Sequence, residues 1–189
     1  MSIQVRHLSK SFDGVPVLRD VSFSAEKGIT CLMAPSGAGK TTLLRILLGL
    51  ERADGGDVSG LDGARISAVF QEDRLLPNLT AEGNLRFVLG AAYGAEKANA
   101  LLGELGLEDV GGKPVREFSG GMKRRLALAR ALSVPFDVLA LDEPFTGLDA
   151  GNRQRAVACI LKWAADAVVV LVTHDRSDAE ALNAAVVTL

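Results

Sequence analysis

The feature that most constrains this fold is a glycine-rich octet, Ala34-Pro35-Ser36-Gly37-Ala38-Gly39-Lys40-Thr41, set between an apolar run and a helical pattern. Ile29-Thr30-Cys31-Leu32-Met33 before it reads as a buried strand, and Lys40 to Leu50 after it as a helix. In a strand, glycine loop, helix unit, backbone N–H groups converge on one point and a helix N-terminus backs them, so the octet reads as a phosphate-binding loop. Lys40 is placed to bridge the β- and γ-phosphates, the Thr41 hydroxyl to ligate Mg²⁺, and Thr42 follows at once in the candidate nucleotide site. One departure stands out: Ala34 occupies the first glycine position of the usual pattern, so a methyl group intrudes where the turn begins. Gly37 and Gly39 flank the positions of closest approach to phosphate, and binding is expected to survive.

The rest of the chain agrees with an α/β core. Ile3 to Leu8 and Val17 to Phe23 alternate like strands, and Asp13-Gly14 between them suggests an antiparallel start. Asp54-Gly55-Gly56 and Leu61-Asp62-Gly63 read as turns, followed by a strand from Ile66 to Phe70 that ends on Gln71. From Glu72 to Arg116, leucine and alanine recur at helical spacing, with breaks at Gly94 and Gly111-Gly112, and a further helix runs from Gly120-Gly121 to about Leu132. Residues 72–132 are therefore expected to form a small helical lobe inserted in the core. Val138 to Leu141 and Val168 to Val172 read as buried strands, and Arg153 to Ala164 as a helix with Val157, Ile160, Leu161 and Ala164 on one face. At 189 residues the expectation is one domain.

Composition excludes some partners. The formal net charge of -2 supplies no basic field for nucleic acid, and no nucleic-acid partner is expected. Apolar runs such as Val168 to Val172 fall far short of the roughly 20 residues a membrane span needs. The start of the chain carries no export-signal pattern, and Cys31 and Cys159 lack metal-ligand spacing, so two buried reduced thiols and a cytosolic location are expected.

Asp142-Glu143 follows four apolar residues and precedes Pro144, at the C-terminal end of a central strand, where ligands sit in open α/β sheets. Adjacent strand residues point to opposite sides, so the two carboxylates are expected to divide the work. Asp142 approaches Mg²⁺ through a water, and Glu143 orients the attacking water as the base. Ser119-Gly120-Gly121 is a second phosphate-reading segment so far along the chain that a site completed by a partner subunit best explains it. Taken alone, the Asp-Glu pair reads as a solvated turn, His174 as a strand-end histidine, Gln71 as a strand-end polar residue and Phe12 as a packed turn aromatic. Lys123-Arg124-Arg125 reads as a solvated helix face and receives no role.

With these residues in this order the chain resembles, over nearly its whole length, the nucleotide-binding subunit of an ABC transporter. Phe118-Ser119-Gly120-Gly121-Met122 resembles the family's signature, Leu141-Asp142-Glu143-Pro144 its second nucleotide motif, and Gly147-Leu148-Asp149 its aspartate loop. Gln71 matches the glutamine loop and His174 the switch histidine. The resemblance implies a P-loop NTPase core of mainly parallel sheet, with an N-terminal antiparallel β part and the inserted α-helical subdomain. It implies ATP and Mg²⁺ as cofactors and ATP hydrolysis as the activity. Two subunits, identical or related, pack head to tail, so that Ser119 and Gly121 of one grip the γ-phosphate held by the other's loop. It further implies that Gln71 contacts Mg²⁺, His174 senses the γ-phosphate, Phe12 stacks on adenine and Asp149 lies at the nucleotide.

The same resemblance gives as partners an integral membrane permease and, indirectly, a solute-binding protein, with this subunit peripheral on the cytoplasmic face. Leu75 and Leu76 are expected to wall the groove that receives the permease. Met122 and Asp142-Glu143-Pro144-Phe145 are similar to the nitrate, sulfonate and taurine importer group. The chain stops soon after Val172, so an additional C-terminal regulatory lobe is not expected. Two alternatives stay open: an exporter-type motor, and a soluble ABC-type switch unconnected with transport. About forty-five residues between Gln71 and the signature leave no room for a long coiled coil.

Overall fold

A computed structural model describes residues 1–35 and 37–189. In chain order the elements are β1 Ser2–Phe12, β2 Val15–Glu26, β3 Gly28–Met33, α1 Lys40–Leu47, β4 Gly55–Ser59, β5 Ile66–Val69, α2 Ala81–Leu89, α3 Ala95–Glu104, α4 Gly120–Ser133, β6 Val138–Asp142, α5 Ala150–Trp163, β7 Val168–Thr173, α6 Arg176–Ala181 and β8 Ala185–Thr188. The chain forms two compact units. The first comprises Met1–Ile66, Phe136–Glu143 and Asp166–Leu189, and the second Ser67–Pro135 and Pro144–Ala165.

The first unit carries two kinds of sheet, as the sequence suggests. β1 and β2 pair antiparallel across the Asp13-Gly14 turn, where both residues have positive φ, and β4 pairs antiparallel with the other side of β1. β4 corrects the reading of Asp54-Gly55-Gly56 as a turn. In the second sheet β6, β7, β3 and β8 lie in that order, with β7 parallel to both β6 and β3, and β8 parallel to β3. β6 and β7 are buried at every residue, which accounts for their unbroken apolar runs. Register pairs Met33 with Thr173 and Asp142 with Val172, so the chain segments following β3, β6 and β7 leave one edge of the sheet together. α6 and β8, beyond the last strand expected from sequence, complete this unit.

The second unit is helical. α4 packs against α2, α3 and α5, and it is buried almost all round from Arg124 to Ala129. Leu85 of α2, Leu101 of α3, and Leu105 and Leu107 beyond α3 are at most 1% exposed and form the core with Leu126 and Leu128. α5 begins at Ala150, capped by Asp149, rather than at Arg153, and its buried residues are Ala156, Cys159 and Ile160. Leu161, expected on the buried face, is 40% exposed.

Candidate functional site

The glycine loop leaves β3 and enters α1 as the sequence requires. Gly37 and Gly39 have φ of 83° and 80°, the left-handed region in which glycine carries no steric penalty. At Gly39 the demand is twofold, because an added Cβ would lie 2.7 Å from Val17 O and from Leu18 Cδ2. Ala34 is absent from the described residues of positive φ, so its methyl group meets no backbone conflict, and the residue is buried. Ala38 N–H donates to Pro35 O at 3.2 Å, and Thr42 is half-buried in the first turn of α1. Ser36, also a candidate, lies outside the described residues. Among the described residues no side chain caps the N-terminus of α1. Lys40, 9% exposed, donates through Nζ to Ala34 O at 2.6 Å and Pro35 O at 3.1 Å, an ammonium held on the loop itself.

At the same sheet edge the Thr41 hydroxyl donates to Asp142 Oδ2 at 2.8 Å. Asp142 is 2% exposed, and this pairing brings two of the expected metal-side residues together. Among the described residues no group of three or more His, Cys, Asp or Glu side chains is placed to hold a metal. Mg²⁺ ordinarily takes one or two protein ligands and completes its shell with phosphates and water, so the Thr41–Asp142 pair fits that ion.

Glu143 lies just past β6 with φ of 49°. This left-handed kink, and not simple strand alternation, turns its carboxylate away from Asp142's partner. Its Oε1 accepts from His174 N at 3.2 Å and meets His174 Nδ1 at 2.7 Å, and its Oε2 lies 3.2 Å from Thr173 Oγ1. The bond to Glu143 raises the pKa of exposed His174 above the ordinary imidazole value. Thr173, fully buried, is the hub beneath: its hydroxyl shares its one proton between Asp178 Oδ2 at 2.8 Å and Glu143 Oε2 at 3.2 Å, and accepts from Asp175 N at 3.1 Å. Ala34, Pro35 and His174 line one open recess of about 460 Å³. Phe12 ends β1 at 42% exposure with Lys10 Nζ 5.0 Å from its ring centroid.

The remaining candidates lie in the second unit. Ser119 caps α4, its hydroxyl oxygen accepting Met122 N–H at 3.3 Å, and Gly120 and Gly121 form the first turn. A Cβ on Gly121 would come within 3.3 Å of Gly147 O, so the helix start and the 147–148 loop approach closely. Asp149 caps α5, accepting Asn152 N at 2.9 Å and Asn152 Nδ2 at 2.6 Å, and these bonds lower its pKa. Gln71 is exposed, and its carbonyl accepts from Arg124 Nη1 at 3.3 Å. Leu75 and Leu76 are half-buried.

The sequence profile of the ABC transporter family matches residues 18–146. The chain belongs to the ABC transporter family. It is 40% identical over 180 residues to the aliphatic sulfonates import ATP-binding protein SsuB 1 of Pseudomonas savastanoi pv. phaseolicola, covering 94% of this chain and 76% of that protein. It is 38% identical over 200 aligned positions to the sulfate/thiosulfate import ATP-binding protein CysA of Halalkalibacterium halodurans, covering 95% of this chain and 56% of that protein. The chain is accordingly an ABC ATP-binding subunit of the type found in these two systems. No helix among the described residues is long and apolar enough to cross a membrane.

Two parts of this ABC subunit escaped the sequence reading. Thr173 and Asp178 support Glu143 from below, and the only signal was a hydroxyl at the end of an apolar strand with an acid five residues on. Arg124 and Arg125 are 4% and 8% exposed, which overturns the reading of Lys123-Arg124-Arg125 as a solvated face. Arg125 donates to Leu105 O and Gly106 O, both at 2.6 Å, and burial lowers its pKa.

Proposed function

We propose that this subunit is an ATP-hydrolysing motor that dimerises around two ATP–Mg²⁺ and drives import of a sulfonate or sulfate-type anion through a separate membrane permease. The observation that carries hydrolysis is the Glu143 carboxylate. It is held by His174 and Thr173 at the sheet edge that also carries the phosphate loop and the Thr41–Asp142 pair. Preorganised groups aimed at the reacting phosphoryl supply most of the catalysis in this kind of transfer.

In this reading the loop N–H groups of Gly37 to Lys40 hold the phosphates, and Lys40 exchanges its loop carbonyls for phosphate oxygens. Mg²⁺, when bound, neutralises phosphate charge, and Thr41, Asp142 and Gln71 would hold it. Glu143 orients a water and takes its proton, and His174 keeps that carboxylate in place. Phe12 stacks on the base. Ser119, Gly120 and Gly121 contact the γ-phosphate held by the other subunit, the amide-rich start of α4 favouring negative charge there, and Asp149 keeps its own helix start beside that interface.

Residues 72–132 act as the helical subdomain, with Leu75 and Leu76 toward the permease on the inner face of the cell membrane. The names of the sulfonate and sulfate import relatives support the solute class, and a solute-binding protein delivers the anion. The deciding experiment is Glu143→Gln, which preserves shape and removes the base. ATP binding should persist, phosphate release should fall by at least about a hundredfold, and an ATP-bound dimer should accumulate on gel filtration. Turnover at the rate of the unmodified protein would end the assignment.

A further inference from the structure

The unassigned basic run supplies a device that links two halves of the proposed site. Within the second unit Arg124 Nη1 lies 2.5 Å from Phe70 O, 3.3 Å from Gln71 O and 3.3 Å from Asp73 Oδ1. Two turns further along α4, Arg130 donates to Arg74 O at 2.8 Å and Asp73 O at 3.1 Å. The hydroxyl of buried Ser67 donates to Ala131 O at 2.8 Å. From Ser67 to Arg74, therefore, the strand end and the loop carrying Gln71 are fastened to α4 along its length. Within the loop, Arg74 has φ of 47° and its guanidinium stands 3.9 Å from the Phe70 ring centroid.

We propose that Arg124, backed by Arg130, is a positioning residue that locks the Gln71 segment onto the signature helix, so that Gln71 and Ser119 move toward nucleotide as one piece. The physical basis is the cost of breaking charge-assisted hydrogen bonds made by a buried cation. If residues 70–74 left α4, a guanidinium that is 4% exposed would give up its bonds to Phe70 O, Gln71 O and Asp73 Oδ1 with little water to replace them. Gln71 presents its side chain at the surface while its backbone is held, which suits a residue that must reach a ligand from a fixed base. Any movement imposed on Gln71 is thereby delivered to the helix that starts at Ser119. This inference rests on the reading of Gln71 and Ser119 as nucleotide contacts.

The test compares the unmodified subunit with Arg124→Met and Arg124→Lys by hydrogen–deuterium exchange and by steady-state ATP hydrolysis. In Arg124→Met, amides of residues 70–76 should exchange about ten- to a hundredfold faster, the loss expected for one charge-assisted hydrogen bond, while those of β1 and β2 stay unchanged. The kcat should fall by about ten- to a hundredfold with KM for ATP within about threefold, the signature of misplaced groups and not of lost ground-state binding. Arg124→Lys, which keeps the charge and its donors, should recover at least half of the protection, and its exchange decides the matter if Arg124→Met does not fold. Unchanged exchange at 70–76, or equal acceleration in β1 and β2, would overturn the clamp. If the unmodified subunit turns over no ATP, the hydrolysis reading falls while the exchange comparison still decides whether Arg124 locks the segment.

Discussion

Thr173→Val probes the support beneath Glu143 with almost no change of volume. Thr173 is fully buried, and its hydroxyl contacts Asp178 Oδ2 at 2.8 Å, Glu143 Oε2 at 3.2 Å and Asp175 N at 3.1 Å. Replacing the hydroxyl by a methyl removes one bond to a carboxylate, worth about 1.5 to 3 kcal/mol, and one backbone bond worth about 0.5 to 1.5 kcal/mol. Asp178 keeps a further interaction, so the sum is set at about 2 to 4 kcal/mol. For a chain of this size that corresponds to a melting point lower by about 4 to 16 °C. Glu143 retains both His174 contacts but loses its lateral one, and a carboxylate free to swing in that direction should cost kcat on the order of tenfold. Thr173→Ser, which keeps the hydroxyl, should restore turnover and most of the stability. Differential scanning calorimetry and phosphate release at saturating ATP read the two effects separately. A valine variant that melts within about 1 °C of the unmodified protein would refute the energetic argument. Unchanged kcat would refute the link to Glu143.

Lys40→Ala should weaken ATP binding by about ten- to a hundredfold, the value of one charge-assisted contact, measured by equilibrium binding of a fluorescent ATP analogue; unchanged affinity would show that the loop beginning at Ala34 is not the nucleotide site. The Arg65 side chain and backbone N–H hold the Asp137 carboxyl down at about 2. Its folded value lies below its unfolded value, so its stabilising contribution is complete above the ordinary carboxylate range and disappears as pH falls toward 2. The melting difference between the unmodified protein and Asp137→Asn should therefore be flat near neutrality and shrink between about pH 4 and pH 2, and a difference that grows there would refute the assignment. Burial pushes the Cys31 and Cys159 thiols up to about 11, so Ellman's reagent at pH 8 should label neither thiol in the folded protein and both in denaturant. Rapid labelling of the folded chain would contradict their burial.

Much of the fold was legible because local chemistry and tertiary demand coincide. Asp13-Gly14 turns β1 into β2, and the unbroken apolar runs of β6 and β7 mark strands buried on both faces. β4 was missed for a specific reason. Glycines at 55 and 56 look like turn punctuation, yet a Cβ on Gly56 would fall 2.4 Å from His7 O and 2.5 Å from Arg6 O of β1. Glycine is there because a neighbouring strand approaches, a demand that local sequence cannot distinguish from a turn. α6 and β8 are too short, at 6 and 4 residues, to establish a period.

The candidate site divides in the same way. The glycine-rich loop and the Asp142-Glu143 pair are visible because the chemistry proposed for them fixes residue type and order together. Glu143's orientation was anticipated for an incomplete reason: alternation along a strand separates adjacent side chains, but this residue lies beyond the strand, and its positive φ aims the carboxylate at His174. Arg124 could not be anticipated at all. Beside Lys123 and Arg125 it forms a run of cations, and such a run is ordinarily solvated because burying an unpaired charge is costly. What reverses the outcome includes a set of acceptors 51 to 54 positions earlier in the chain, the carbonyls of Phe70 and Gln71 and the carboxylate of Asp73. Backbone carbonyls are the same at every residue, so Asp73 is the one complementary side chain among these three acceptors, and nothing local in the sequence pairs it with Arg124.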